Sequence, residues 1–403
     1  MQEWRKHILF YSVIAMMLSL FLSRALLSAS IAVFVITCLF YSGSKELGKR
    51  FFSSSLLWGI SLLFLLPLLS GLWTGDKQEW INVLRIKLPL LLFPLAFAAP
   101  FTFSKKQWNR LVYSFIIIIT AGTIWSMFHY ATNMAVVNEG YLRAKMIITP
   151  LENDHVRFSW LVSVAVLLAG WLWWRNRKEK NSSWLLLTVV WLGVFLHILA
   201  ARTGLLSFYI TLLATTLFVV FKKVKRLYGT ALLLLLFALP VAAYFILPTF
   251  RNKVKYFLYD FEYVKDAHYL AGGNDASRII SLKAGWSLMN DHSVSGVGFG
   301  DIFTETGKWY SVNYPEVQQQ DKILPSNEWL IYGAGCGIPG FLFFTFVMLA
   351  PFFINTKNKW GWWLLNCLIA FSFLFDIGLE VQFGIFIYCF VVLFGWKWFR
   401  REA

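Results

Sequence analysis

Apolar positions run almost unbroken along this chain, and polar ones collect in a few intervals. Runs that suit membrane-crossing helices, roughly 17 to 25 residues with some tilt, fall at 8–22, 25–41, 55–73, 88–103, 111–131 and 158–174, and again at 184–201, 203–221, 229–249, 328–354, 360–375 and 383–397. The first and fourth are short. This pattern predicts an all-α polytopic membrane protein with about twelve transmembrane helices. It divides the chain into nine helices over 1–249, one large polar loop over 250–327, and three further helices over 328–403.

The polar loop carries its own periodicity. Residues Ala276 to Gly300 read as a short amphipathic helix running into a glycine-rich turn. Ile279, Leu282, Trp286 and Met289 recur at helical spacing and leave Arg278 and Lys283 to a polar surface. Such a helix lies on or near the membrane. Gly296, Gly298 and Gly300 then alternate with Val297 and Phe299, so the backbone can turn sharply, either to approach a ligand closely or only to close a loop.

Composition agrees with the pattern. Of 403 residues, 58% are hydrophobic and 19% aromatic, more apolar surface than a soluble domain can hide. Cys38, Cys336, Cys367 and Cys389 lie in apolar runs without C-x-x-C spacing, which points to packing residues and to neither a metal site nor a disulfide framework. Met1 to His7 and the following run resemble a signal peptide, but no small-x-small site follows, so a retained first helix is expected.

The formal charge of +16 is distributed unevenly. Of the 37 Lys and Arg, 21 fall in clusters on one side of the predicted helices, including Lys180, Lys222, Lys223, Lys225 and Arg226, with only Glu3, Glu46, Glu179 and Glu402 beside them. The positive-inside rule makes that side cytoplasmic and places both termini there, in a multi-pass membrane protein. Topology thus accounts for the basic balance, and nucleic acid is not a partner. Thr74 to Lys87, Thr132 to Arg157 and Phe250 to Asn327 face outward with His129, His155, His197, His268 and His292 at or near that face. No internal or inverted repeat is visible, and mid-membrane positions are largely uncharged, which argues against a flippase or other transporter.

Arg202 lies between two apolar runs, so its guanidinium either snorkels to the interface or occupies a polar cavity. Arg157, in Asp154-His-Val-Arg-Phe-Ser159, opens the sixth run, and Arg278 opens the amphipathic segment. Outward arginines of this kind can grip a pyrophosphate, whose oxygens match the planar guanidinium fork. His155 is either a catalytic or binding group beside Arg157 or a solvated helix start. His292 is either functional or an ordinary loop histidine, and His197 suits a satisfied core position. Asp376 and Glu380, spaced i,i+4, fit a structural ion pair with a nearby base better than a direct offset of the arginines.

The segment from Arg278 to His292-Ser-Val-Ser-Gly-Val-Gly-Phe-Gly300, with Leu324-Pro-Ser-Asn-Glu-Trp-Leu330 and Gly337-Ile-Pro-Gly340, resembles the signature of the O-antigen ligase and polymerase superfamily of bacterial membrane glycosyltransferases. The resemblance implies about twelve helices, cytoplasmic termini and a large periplasmic loop. It also implies transfer of a glycan from undecaprenyl pyrophosphate to a sugar hydroxyl of lipid A-core or of a growing polysaccharide, without metal or cofactor. Arg202 and Arg278 match arginines that hold the donor's pyrophosphate and stabilise charge on the leaving group. Where ligases carry a histidine base before an asparagine, this chain has Ser326 before Asn327. Serine is no base near neutral pH, so His155, Glu328 and His292, in that order, are the candidates to replace it.

Overall fold

The computed structural model describes residues 2–179, 182–221, 226–265 and 274–401. His268, Lys180, Lys222, Lys223, Lys225 and Glu402 lie outside the described residues, as does the side chain of Arg226. The described chain is helical, without a strand. The first helices are α1 (Gln2–Leu22), α2 (Arg24–Leu39), α3 (Ser44–Phe52), α4 (Ser55–Ser70), α5 (Lys77–Lys87), α6 (Pro89–Phe97) and α7 (Lys105–Thr132). Next come α8 (Met134–Gly140), α9 (His155–Asn176), α10 (Ser183–Leu199), α11 (Arg202–Phe221), α12 (Arg226–Ile246) and α13 (Pro248–Lys265). The last are α14 (Asn274–Asp291), α15 (Ile302–Asn313), α16 (Glu328–Leu349), α17 (Lys359–Phe373) and α18 (Gln382–Arg401).

Each of the twelve apolar runs coincides with a helix, but the expected count of crossings changes. Among the described residues eight helices are long and apolar enough to cross a membrane, or nine if the pair Arg24–Leu39 and Ser44–Phe52, bent by 104°, is one span. Ser55–Ser70 and Ser183–Leu199 are apolar but shorter. The fourth run differs most. It joins the preceding polar interval as one candidate span, Lys77–Phe97, with Lys87 at its midpoint.

The chain forms two compact units. The first contains Met1–Val13, Ser28–Phe103 and Asp260–Ala403, and the second Ile14–Leu27 and Ser104–Tyr259.

In the first unit, prolines decide where helices need outside help. Pro67 within α4 has no N–H to give the carbonyl of Leu63, and the buried Tyr332 hydroxyl of α16 donates to that oxygen at 2.8 Å. Pro339 leaves Gly335 O of α16 in the same position, and the helix breaks at Cys336 and Gly337, the latter at φ 69°. The glycine turn repairs the break. Val297 N–H donates to Ala334 O at 2.8 Å, Gly298 N–H to Gly335 O at 3.1 Å, and Ile338 N–H turns to Ser293 O at 2.8 Å. A Cβ on Gly298 (φ +90°) would stand 2.1 Å from Thr74 Oγ1. The close approach expected at the glycines is therefore to protein backbone, and it closes a loop.

The second unit packs α9 against α10 and α11. Gly204 of α11 lies so near Ser159 of α9 that a Cβ would come within 2.4 Å of the serine Cβ, and Ser163 Oγ donates to Gly204 O at 2.7 Å. His197 is buried and satisfied. Its Nδ1 lies 2.7 Å from Gly193 O, an acceptor only, so Nδ1 carries the proton and Nε2 accepts from the Tyr209 hydroxyl at 2.6 Å.

Candidate functional site

In the first unit α14 lies against α16 because small residues let the backbones close. A Cβ on Gly285 would meet Pro325 Cβ at 2.7 Å, and one on Gly333 would meet Met289 Sδ at 2.6 Å. The expected apolar face of α14 is consequently split between two tasks. Met289 joins Ile280, Ala284 and Leu288 in the core, whereas Ile279, Leu282 and Trp286 turn to a groove.

That groove has a volume of about 770 Å³ and runs along α16 from Asn327 past Trp329 and Leu330 to Phe341, with Leu374 opposite. Its walls are mainly apolar, and Lys283, Ser287, Asn290 and Asp291 supply the polar side. The N-terminal half of α14 is held by α15 and the chain after it, through a small core of Ile280, Tyr310 and Val317 with Trp309 and Tyr314 packed on it. Burial pushes the Tyr310 phenol up to about 12, so it stays neutral. Lys283 Nζ, from the groove, donates to the Tyr314 hydroxyl at 3.0 Å.

Asn327 lines this groove, and Ser326 precedes it. Ser326 N–H donates to Ser281 Oγ at 3.1 Å, and the two serine oxygens also lie 3.1 Å apart, which ties this segment to α14. Asn327 caps α16, its Oδ1 accepting Leu330 N–H at 3.2 Å, while its Nδ2 donates to Leu374 O at 3.1 Å. Arg278 is half-buried one residue before Ile279, and no carboxylate pairs with it among the described residues. His292 is exposed where α14 gives way to the glycine turn.

Glu328, the first residue of α16, is fully buried and points to other surroundings than its groove-lining neighbours. One carboxylate oxygen accepts Leu379 N–H, and the other, Oε2, is buried without a hydrogen-bond partner among the described residues. Beside it is Lys87, also fully buried. The Lys87 ammonium lies 2.5 Å from Glu380 Oε1 and 2.9 Å from Leu379 O, and 5.4 and 5.2 Å from the ring centres of Phe299 and Tyr332. Glu380 is thus the partner of a base. Lys87 was not among the candidates from sequence, which ended the polar interval at that residue; the shortness of the run 88–103 was the available signal.

The second unit holds the remaining candidates. Leu151, Glu152 and Asn153 form three consecutive left-handed residues, with φ of 66°, 55° and 68°, immediately before α9. Asp154 then caps α9, accepting Arg157 N–H at 3.1 Å, and its carboxylate also pairs with the Arg157 guanidinium. His155 is half-buried at the helix start. Ala200, left-handed at φ 49°, precedes α11, whose first residue Arg202 sets its guanidinium 4.9 Å from the ring centre of Phe257. Arg157 and Arg202 therefore each stand two residues before the Ser159 and Gly204 contact, in the opening turns of two packed helices.

Comparison with known families gives one match within this frame: residues 187–345 fit the family model described as O-antigen ligase. The match includes Arg202, Arg278, the glycine turn and the groove residues of α14 and α16. No curated protein matches the chain.

Proposed function

We propose, from the premise that the chain belongs to the O-antigen ligase family through residues 187–345, that it transfers a glycan from undecaprenyl pyrophosphate to a sugar hydroxyl at the periplasmic face of the bacterial inner membrane. The groove between α14 and α16 carries this reading. Its apolar walls suit a lipid chain, and Arg278, on the same helix as Ile279 and Leu282, offers a guanidinium without a carboxylate partner among the described residues. A donor that is apolar at one end and dianionic at the other matches both features. The positive charge stabilises the pyrophosphate as the sugar leaves it, an electrostatic role.

Arg157 and Arg202 are proposed as further phosphate-binding cations of the second unit. A cation in the first turn of a helix opposes the positive end of the helix dipole, and an anion relieves that conflict. Glu328 is the proposed proton acceptor in place of the family's histidine, supported by its position two residues from Ser326 and by its unsatisfied Oε2. The acceptor sugar belongs to lipid A-core or to a growing polysaccharide. Free lipid-linked chains accumulating in a deletion strain identify the former, and single repeat units the latter.

The direct test is transfer from an undecaprenyl-pyrophosphate glycan by purified protein. Arg278→Ala is expected to lose about 10- to 100-fold in transfer, the worth of one charge-assisted contact, and Glu328→Gln to lose more. Wild-type rates in Arg278→Ala would count decisively against the assignment.

A further inference from the structure

A membrane protein gains little stability from an ion pair sealed in its interior, because removing two charges from water costs as much as their attraction returns. Charged groups retained there are functional candidates by default. Lys87 occupies the midpoint of the candidate span Lys77–Phe97 and is fully buried. Its contacts come from three separate parts of the first unit. Glu380 and Leu379 belong to the turn between α17 and α18, Phe299 to the glycine turn, and Tyr332 to α16.

Leu379 is held from both sides, its carbonyl by Lys87 and its N–H by Glu328. The same turn begins near Leu374, which lines the groove and receives the Asn327 amide. We propose that Lys87 is a positioning residue for glycan transfer: its ammonium fastens the 374–380 turn to the start of α16 and the glycine turn, and so fixes the end of the groove formed by Asn327 and Leu374 and the orientation of the Glu328 carboxylate. It touches no substrate. This rests on the transfer activity proposed above, and it assigns a role to a residue outside the 187–345 match.

Misplacing a reacting group by about 1 Å costs roughly 100-fold in rate, whereas the groove walls that hold the lipid remain. The doubly neutral variant Lys87→Met with Glu380→Gln removes both charges of the pair. It is expected to melt within about 3 °C of wild type in detergent, to lose about 100-fold in kcat, and to keep KM for the lipid donor within roughly threefold. Lys87→Arg, which retains a donor for Leu379 O and Glu380, is expected to recover at least tenfold of that loss. Wild-type kcat in the doubly neutral variant, or a KM that rises while kcat stands, overturns the proposal.

Hydrogen exchange at residues 374–380 provides a readout independent of catalysis. Lys87→Met and the double variant are expected to exchange faster there, with α9 to α11 unchanged. Unaltered exchange in the turn refutes the positioning role even if no transfer is seen. Absence of transfer by the wild-type protein, with faster exchange in the variants, refutes the transferase assignment instead.

Discussion

In the first unit a lysine is enclosed by a carboxylate, a carbonyl and two aromatic faces, whereas in the second unit two arginines stand in the opening turns of α9 and α11. Lys87 has no exposed surface, so its surroundings were built to satisfy it. Arg157 and Arg202 occupy helix positions where a positive charge is least favoured. Arg157 meets this by pairing with its own cap, Asp154, and Arg202 leans over Phe257. Burial with matched partners marks a charge that holds protein to protein. The anion-binding role proposed above falls to the charges set against a helix dipole at a helix start, of which Arg157 already has a partner in Asp154.

Three substitutions can break or sharpen this contrast. Lys87→Met alone leaves the part-buried Glu380 without its cation, and a loss of about 3–5 kcal/mol is expected, read as a large fall in melting temperature. A small fall would mean that the lysine is not needed for protein contacts. Gly204→Ala places a Cβ within 2.4 Å of Ser159 Cβ and 2.8 Å of its backbone carbon. A cost of about 1–3 kcal/mol is expected as α9 and α11 are forced apart, with transfer reduced alongside. Arg202→Gln should change stability least, by under about 1 kcal/mol, while transfer falls about tenfold or more. A stability loss like that of Lys87→Met would place Arg202 with the protein-holding charges and end the contrast.

Helices were legible because hydrophobic runs alone specify them, and each of the twelve runs contains a helix, although the run 88–103 is helical only over Pro89–Phe97. Fewer qualify as crossings because length and continuity depend on neighbours. Lys87 looked like the end of a loop, since a polar residue before Leu88-Pro89 terminates an apolar run, yet α5 and α6 continue as one candidate span. The turn 151–153 was equally hidden, because Leu, Glu and Asn carry no local signal for three successive positive φ angles. On α14 the periodicity found an apolar face, but not that Met289 goes to the core while Ile279 and Trp286 face the groove. That division is decided by Gly285 and Gly333, at the α14–α16 contact. The family resemblance was legible, since the segments that carried it, from Arg278 to Gly340, fall inside the 187–345 match. The partners of Glu328 were not, because Leu379 lies 51 residues away.

The interrupted helix α16 also has a bearing on biosynthesis. Carbonyls left bare within a lipid bilayer cost several kcal/mol each, and α16 presents two of them, at Ala334 and Gly335. The amides that cover them, at Val297 and Gly298, lie earlier in the chain. A ribosome making this protein therefore releases the plug before the gap, and α16 can meet its covering segment as soon as it leaves the translocation machinery.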